Sequence, residues 1–222
     1  MPSLVKICGL STPETLDAAL GAGADLVGFV RYVRSPRHVD LDRGRALSRR
    51  ARGRALRVAL LVDADDVALD EAVEALDPDL LQLHGSETPE RVASIRARFG
   101  RPVMKAVGIA EPADLAGIER YATVADQILL DAKPPRDARA LPGGNGLPFD
   151  WRLLASLDLD ERFMLSGGLT PETVATAVAL TGIRAVDVSS GVETKPGEKD
   201  PVRIAAFVRA ARSVPSPQEE IA

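Results

Sequence analysis

The sequence has very little of what soft-metal and disulfide chemistry requires. Among its 222 residues there are one cysteine and two histidines. One thiol cannot form an internal disulfide, and so few soft ligands disfavour a zinc site. A carboxylate site for magnesium is left open by such counting, and we assign no metal. A lone thiol is typical of a reducing compartment, so we expect the cytoplasm.

Long apolar runs and a basic excess are also missing. No stretch approaches the roughly 18 apolar residues of a membrane span, and the first ten residues, MPSLVKICGL, do not resemble a signal peptide. The net charge of −4 gives no footprint for nucleic acid. The one arginine-rich stretch, residues 49–57, is interpreted as a solvated face. We therefore expect neither a membrane nor a nucleic acid as partner.

The composition fits one large domain. With 45% hydrophobic and 27% charged residues, the chain can bury a sizeable core. We predict a single domain over residues 1–222, with an ordered core at about 3–212 and a frayed tail at 213–222. The Pro- and Gly-rich connection after the sixth apolar run is interpreted as a long loop rather than a domain boundary.

Eight short apolar runs alternate with helical patterns. The predicted strands are Leu4–Cys8, Leu26–Val30, Arg57–Val62, Leu80–Leu83, Pro102–Ala106, Gln127–Leu130, Arg162–Leu165 and Arg184–Val188. Three of the helices are predicted to begin at a Thr-Pro-Glu cap, with Thr12, Thr88 and Thr170 as N-caps. Such repetition indicates one βα unit used eight times.

Eight units of this size predict an α/β fold, a single (β/α)8 TIM barrel. The competing architecture is a doubly wound open sheet. We favour the barrel because eight units would make an unusually long open sheet, and because no G-x-G-x-x-G follows the first strand.

In a TIM barrel the chemistry lies at the carboxyl ends of the strands. The polar residues that follow the predicted strands are Cys8, Arg37, Asp63, Gln82, His84, Lys105, Asp131, Ser166–Gly168 and Ser189–Gly191. Glycine-rich loops after strands seven and eight commonly bind phosphate in this fold, because glycine lets backbone N–H groups approach the oxygens. Ordinary turn chemistry is the alternative for each loop alone. We predict a phosphate site in the pair.

Several motifs in order resemble phosphoribosylanthranilate isomerase of tryptophan biosynthesis. They are KICGL (6–10), QLHG (82–85), LLD (129–131), GGNG (143–146), FDW (149–151), LSGGL (165–169), VDVSSGVE (186–193) and PGEKD (196–200). The resemblance implies an Amadori rearrangement of a small phosphosugar, with no cofactor. It implies Cys8 as general base, Asp131 as general acid, and Arg37 as the ligand of the anthranilate carboxylate. The predicted substrate-binding set is Arg37, Gln82, His84, Gly144, Gly167, Gly168, Ser189, Ser190 and Gly191.

The chemistry of these groups suggests further expectations. Lys6 shares a strand face with Cys8, so we expect its ammonium to lower the pKa of the thiol. Asp131 has to hold a proton near neutral pH to act as an acid. His84 is equally compatible with a structural histidine, and Trp151 is expected to pack at the start of a sixth helix.

The chain departs from the family pattern in two places. Arg31 and Arg34 stand in the second loop, and the segment between Asp131 and Gly143 is longer than usual. Two alternatives stay open: another phosphate-binding barrel, such as the histidine-pathway isomerase, which has aspartate at the position of Cys8, or an inactive barrel that serves as a scaffold. The sequence leaves monomer and homodimer undecided.

Overall fold

The computed structural model describes residues 4–134, 141–144, 146, 148–155, 157 and 159–214. Eight parallel strands close into one barrel, with neighbours in chain order. They are β1 (Leu4–Cys8), β2 (Leu26–Val30), β3 (Leu56–Leu61), β4 (Leu80–Leu83), β5 (Val103–Ile109), β6 (Gln127–Ala132), β7 (Phe163–Leu165) and β8 (Ala185–Val188). The predicted TIM barrel is confirmed, and β1, β2 and β4 have the predicted bounds.

Seven α-helices of the described part of the chain lie between and after the strands. They are α1 (Pro13–Gly21), α2 (Leu41–Ala51), α3 (Asp66–Leu76), α4 (Pro89–Phe99), α5 (Ala116–Tyr121), α6 (Val174–Thr181) and α7 (Pro201–Arg212). None of these described helices is long and apolar enough to cross a bilayer. Apolar side chains of the helices and of the outer strand face form the main core.

Two of the three predicted Thr-Pro caps are confirmed. The hydroxyl of Thr12 accepts from the N–H of Thr15, and that of Thr88 accepts from the N–H of Arg91. The third was wrong, because α6 begins at Val174 with Thr173 as its N-cap residue. The side chain of Thr173 accepts from the N–H of Thr170 at 3.0 Å, which holds this segment in a turn instead of a first helical turn.

Between β6 and β7 the described residues contain a short 3-10 helix, Trp151–Leu153, instead of the α-helix expected at Trp151. Of the predicted frayed tail, residues 215–222 lie outside the described residues. The single domain over the whole chain therefore stays a prediction.

The inside of the barrel changes from apolar to polar along the strands. A buried apolar layer fills the lower interior: Leu26, Val58, Leu80, Met104, Ala106, Leu129, Met164 and Ala185. Because side chains two apart share a strand face, the next inward positions form a second layer nearer the mouth. Four strands place polar residues there: Gln82, Asp131, Ser166 and Asp187. This layer is the floor of the functional site.

A small hairpin follows β8 and contacts the second loop. It consists of β9 (Glu193–Lys195) and β10 (Glu198–Lys199), paired antiparallel. At its turn, Gly197 has φ +85°, and a Cβ there would stand 2.6 Å from the carbonyl oxygen of Pro36. Only glycine allows so close an approach, so the hairpin and the second loop form one side of the barrel mouth.

The arginine-rich stretch 49–57 is only partly the solvated face that was predicted. Arg50 and Arg52 are exposed and pair with surface aspartates. Arg57, at the start of β3, is instead buried at 7% exposure, and its guanidinium pairs with Asp79 at 2.9 Å. The strand position accounts for the difference, because Arg57 enters the sheet while the others end α2 or follow it.

Candidate active site

One cavity lies at the carboxyl ends of the barrel strands. It holds about 800 Å³ of empty space, a volume that includes the solvent at its open mouth. Ten predicted site residues line it: Cys8, Arg37, Gln82, His84, Asp131, Gly144, Gly167, Gly168, Ser189 and Ser190. The ten residues lie at the ends of six strands or in the loops that follow those strands, and they meet at one place.

Cys8 ends β1 and is buried at 3% exposure. Burial raises the pKa of its thiol above the ordinary value, and the nearby Lys6 ammonium opposes this without cancelling it. Lys6 faces the same way as Cys8, as predicted, and its Nζ donates to Asp187 Oδ1 at 2.8 Å. The direction of the Lys6 effect agrees with the prediction, but the expectation of a lowered thiol pKa was wrong, because desolvation outweighs the charge.

The Lys6–Asp187 pair lies below the thiol and is almost completely buried, with side-chain exposures of 0% and 5%. Burial alone would lower the pKa of Lys6, but the charges of Asp187 and Cys8 outweigh it and raise that pKa. Ser166 donates to the second oxygen of Asp187 at 3.3 Å. The floor of the cavity thus carries a satisfied ion pair beside its only thiol.

Asp131 is the end of a hydrogen-bonded chain of side chains. Its Oδ1 accepts from the N–H of Ala132 at 2.9 Å, and its Oδ2 lies 3.1 Å from His84 Nε2. The other ring nitrogen, His84 Nδ1, lies 3.0 Å from Gln82 Nε2. Gln82 is fully buried, and its Oε1 has no hydrogen-bond partner among the described residues. The chain fixes the carboxyl of Asp131 and the ring of His84 at the cavity wall.

Arg37 is buried at 4% exposure and joins three loops. Its Nε and Nη2 donate to the two carboxylate oxygens of Glu193 at 2.7 and 2.8 Å, and Nη2 also donates to the carbonyl of Gly144 at 3.1 Å. A guanidinium has five N–H donors, and no described residue accepts from the two on Nη1. Arg37, which was predicted to bind the anthranilate carboxylate, is therefore already paired with the carboxylate of Glu193.

Lys199 completes this cluster behind Arg37. Its Nζ donates to Glu193 Oε1 at 2.5 Å and to the carbonyl and hydroxyl oxygens of Ser189 at 3.0 and 3.1 Å. Burial lowers the pKa of Lys199 to about 8, although Glu193 pulls in the opposite direction. Burial alone would raise the pKa of Glu193, but hydrogen bonds and charges from Arg37 and Lys199 bring it below its ordinary value.

The residues of the glycine and serine loops after β7 and β8 do not all line the cavity. Gly167 and Gly168 line the cavity with φ of +79° and +70°, and a Cβ on Gly167 would stand 2.6 Å from the backbone N of Ala132. Gly191 does not line the cavity. A Cβ there would overlap the carbonyl of Leu169, and the Gly191 carbonyl accepts from Arg203. Gly191 packs behind the loop.

The unusual arginines of the second loop stay outside the cavity. Arg31 Nη1 donates to the carbonyl of Val39 at 2.6 Å, within its own loop. Neither Arg31 nor Arg34 lines the cavity. Their charges therefore do not crowd the site, and Arg37 is the arginine of this loop that faces it.

Two further strand-end residues belong to a neighbouring network. Lys105 Nζ donates to Glu87 at 3.0 Å and to the carbonyl of Gly85 at 2.7 Å. Asp63 has φ +46° and accepts from the N–H of Ser86 at 2.7 Å. Neither Lys105 nor Asp63 lines the main cavity, but Asp63 lines a neighbouring one together with His84 and Asp131.

Three residues of the site were not singled out from the sequence. Asp187 occupies an inward position two residues before Ser189, and the period of two would have found it. Glu193 and Lys199 stand in the VDVSSGVE and PGEKD motifs, where nothing local indicates that they meet Arg37.

Comparisons with known proteins agree with this geometry. A model of the N-(5'-phosphoribosyl)anthranilate (PRA) isomerase family matches residues 5–210. N-(5'-phosphoribosyl)anthranilate isomerase of Bradyrhizobium diazoefficiens is 58% identical over 221 residues, covering 100% of this chain and 99% of its own. The crystal structure of phosphoribosyl anthranilate isomerase from Thermotoga maritima superposes with a TM-score of 0.83 at 34% identity, covering 94% of this chain and 98% of its own.

A second solved structure adds a ligand. It is a phosphoribosyl anthranilate isomerase in complex with reduced 1-(o-carboxyphenylamino)-1-deoxyribulose 5-phosphate, with a TM-score of 0.81 at 33% identity. The match covers 94% of this chain and 98% of that one.

Proposed function

The chain belongs to the N-(5'-phosphoribosyl)anthranilate isomerase family, and we propose that Cys8 and Asp131 are the general base and general acid of its reaction. The enzyme converts N-(5-phosphoribosyl)anthranilate to 1-(2-carboxyphenylamino)-1-deoxyribulose 5-phosphate, an Amadori rearrangement in tryptophan biosynthesis. The change is redox-neutral, and proton transfers are sufficient to carry it.

The reaction needs an acid and a base at one small sugar. The furanose oxygen takes up a proton as the ring opens, and the proton on C2′ is then removed for the 1,2-shift. Cys8 on β1 and Asp131 on β6 line the same cavity. The two strands lie on opposite sides of the barrel, since four strands separate them along one arc and two along the other. This placement is the observation that carries the proposal.

The environment of Cys8 makes its thiolate a strong base but keeps the ionised fraction of the thiol small. Its pKa is raised by burial, so less of the thiol is ionised at neutral pH than the few per cent of a free cysteine. A thiolate of raised pKa is, however, a better proton acceptor once formed. Lys6, held by Asp187 beneath the thiol, favours the ionised form. Its charge keeps the thiolate fraction from falling further.

Asp131 is supported as the acid by its position. It is buried at 6% exposure at the end of β6, and its Oδ2 meets His84 Nε2 at 3.1 Å. Gly143 of the long loop after β6 packs against it, because a Cβ on Gly143 would stand 2.8 Å from that oxygen. A carboxyl enclosed between a ring nitrogen and this loop is largely shielded from water, as an acid for a bound sugar should be.

The remaining residues are proposed to hold the two ends of the substrate. Gly167, Gly168, Ser189 and Ser190 take the phosphate, because glycine-rich turns after the last two barrel strands present backbone N–H groups to oxyanions. Arg37 lines the cavity and takes the anthranilate carboxylate with its Nη1 donors, from which no described residue accepts.

We also propose a cytoplasmic location. The base is a thiol that has to remain reduced to accept a proton, and the cytoplasm keeps thiols in that state. Exposure of the purified enzyme to an oxidant should abolish turnover, and a thiol reductant should restore it.

The test compares Cys8→Ser and Asp131→Asn with the surface variant Asp70→Asn, whose side chain is 52% exposed on α3. Freshly made phosphoribosylanthranilate is added, and the loss of anthranilate fluorescence is followed. We expect both site variants to lose about 10²–10⁴-fold in kcat, with KM changed much less. Near-normal kcat in either variant removes that residue from its role, and loss of activity in Asp70→Asn would invalidate the comparison.

A further inference from the structure

We propose that Lys199, which does not line the cavity, sets the preference for a carboxylated substrate by keeping the Arg37–Glu193–Lys199 cluster positively charged. The inference rests on the proposed role of Arg37 and goes beyond it, because it assigns the specificity to the whole cluster. It identifies a positioning residue on the hairpin after β8.

The pairing of Arg37 with Glu193 cancels most of the charge that would attract a substrate carboxylate. Three of the five N–H donors of Arg37 are engaged, two by Glu193 and one by Gly144. A buried arginine bound by both oxygens of a carboxylate is electrically close to neutral from a distance. A second carboxylate, brought by the substrate, would gain little from such a neutral pair and would lose its hydration.

Lys199 restores the missing charge. Its side chain is 1% exposed, and its ammonium lies 2.5 Å from Glu193 Oε1, on the oxygen that also accepts from Arg37 Nε. Two cations and one anion leave a net charge of +1 in a region shielded from water. The substrate carboxylate then completes the neutralisation, which is the condition under which a buried ionic group is tolerated.

The packing around Arg37 also limits the directions from which an anion can approach the cluster. Gly9 and Gly144 pack against the guanidinium so closely that a Cβ would stand 2.6 Å from Arg37 Cδ and 2.7 Å from Nη1, respectively. Nη1 is the remaining edge, and Arg37 lines the cavity. Arg37 and Glu193 also line a neighbouring cleft with hairpin residues 194–196, so a ligand anion can approach the cluster from the cavity or from this cleft.

The groups around Lys199 define the pH range in which the preference should change. Its ammonium is surrounded by Glu193 on β9, Ser189 after β8, Arg37 in the second loop and Cys8 on β1. Glu193 titrates below its ordinary range and Cys8 above its own, while the pKa of Lys199 is about 8. Loss of a proton between pH 7 and 9 therefore belongs to Lys199.

The experiment measures two affinities by calorimetry for each variant. One ligand is reduced 1-(o-carboxyphenylamino)-1-deoxyribulose 5-phosphate, and the other is the same molecule with an unsubstituted phenyl ring. The variants are Lys199→Met, Lys199→Arg and, as matched control, Lys195→Met, an exposed lysine of the same hairpin at 68%.

We expect Lys199→Met to weaken the carboxylated ligand roughly tenfold, the effect of one unit charge about 10 Å away at an effective dielectric of about 20. The phenyl ligand should change less than about twofold, and Lys199→Arg and Lys195→Met should keep the wild-type preference. Equal weakening of both ligands, or no weakening, would overturn the inference. A merely structural role of Lys199 gives the first of these results.

A pH series on the wild-type enzyme and one further variant complete the test. The wild-type enzyme, which needs no substitution, should lose its preference for the carboxylated ligand as the pH rises through about 8; a preference constant from pH 7 to 9 contradicts the inference. Arg37→Met tests the proposed function separately. If Arg37→Met keeps the preference for the carboxylated ligand, the proposed role of Arg37 is wrong. If Arg37→Met loses this preference and Lys199→Met keeps it, only the proposed role of Lys199 is wrong.

Discussion

Replacing Lys6 by methionine tests the physical account of the thiol base. In the wild type, Lys6 Nζ lies 2.8 Å from Asp187 Oδ1, and neither side chain is more than 5% exposed. Methionine fills a similar volume without the charge, so Asp187 keeps only the 3.3 Å hydrogen bond from Ser166. Leaving one buried charge unpaired costs about 3–5 kcal/mol, a large part of the 5–15 kcal/mol typical of a folded domain.

The stability assay is urea unfolding of Lys6→Met, Asp187→Asn and the double variant. The double variant lacks both charges, so its loss of stability should be smaller than the sum of the two single losses, by about 2–3 kcal/mol. Additive losses would refute the ion pair as the source of the cost.

The same variants report on Cys8 because it is the only cysteine of the chain. Its alkylation rate, measured against pH, follows the thiolate fraction. Lys6 lowers the pKa of Cys8 and Asp187 raises it. The profile should therefore move to higher pH in Lys6→Met and to lower pH in Asp187→Asn. Shifts in the same direction, or an unchanged profile in Lys6→Met, would refute the electrostatic coupling.

Two more predictions concern the same thiol. Because burial raises the pKa of Cys8, wild-type kcat/KM should still rise between about pH 6 and 8 in buffers of constant ionic strength, and a plateau reached below pH 7 would contradict a scarce thiolate. Gly28→Ala would place a Cβ 2.9 Å from Cys8 Sγ, so we expect about 1–3 kcal/mol less stability and a reduced kcat/KM. Gly21→Ala in α1, which meets nothing within 4 Å, is the control and should gain up to about 1 kcal/mol; equal unfolding energies for the two variants would argue against the clash.

The fold and half of the site could be predicted because their signals are local. Eight apolar runs repeat along the chain, and β1, β2 and β4 have the predicted bounds. Cys8 and Asp131 follow from the rule that strand ends carry the chemistry, with the family motifs to weight them. The period of two placed Lys6 beside Cys8 in the same way.

The remaining part depends on contacts between distant segments. Arg37 and Glu193 are 156 positions apart, and no spacing within either segment indicates their pairing. The thiol was expected to be activated, because a charge two residues away is visible in a sequence, whereas the desolvation that outweighs it is a property of the closed barrel. The start of α6 at Val174 was missed because a turn stabilised by Thr173 competes with the cap pattern.

The loop that follows β8 contributes to both of the proposed subsites. Ser189 and Ser190 line the cavity where the phosphate is proposed to sit, and Glu193 and Lys199, a few residues further on, hold the arginine proposed for the carboxylate. Under these proposed roles, the stretch between Ser190 and Glu193 helps to set the spacing between the phosphate and carboxylate subsites. We expect insertion or deletion of a residue there to weaken binding of the present substrate, and comparison of affinities for sugar phosphates of different length would measure the change.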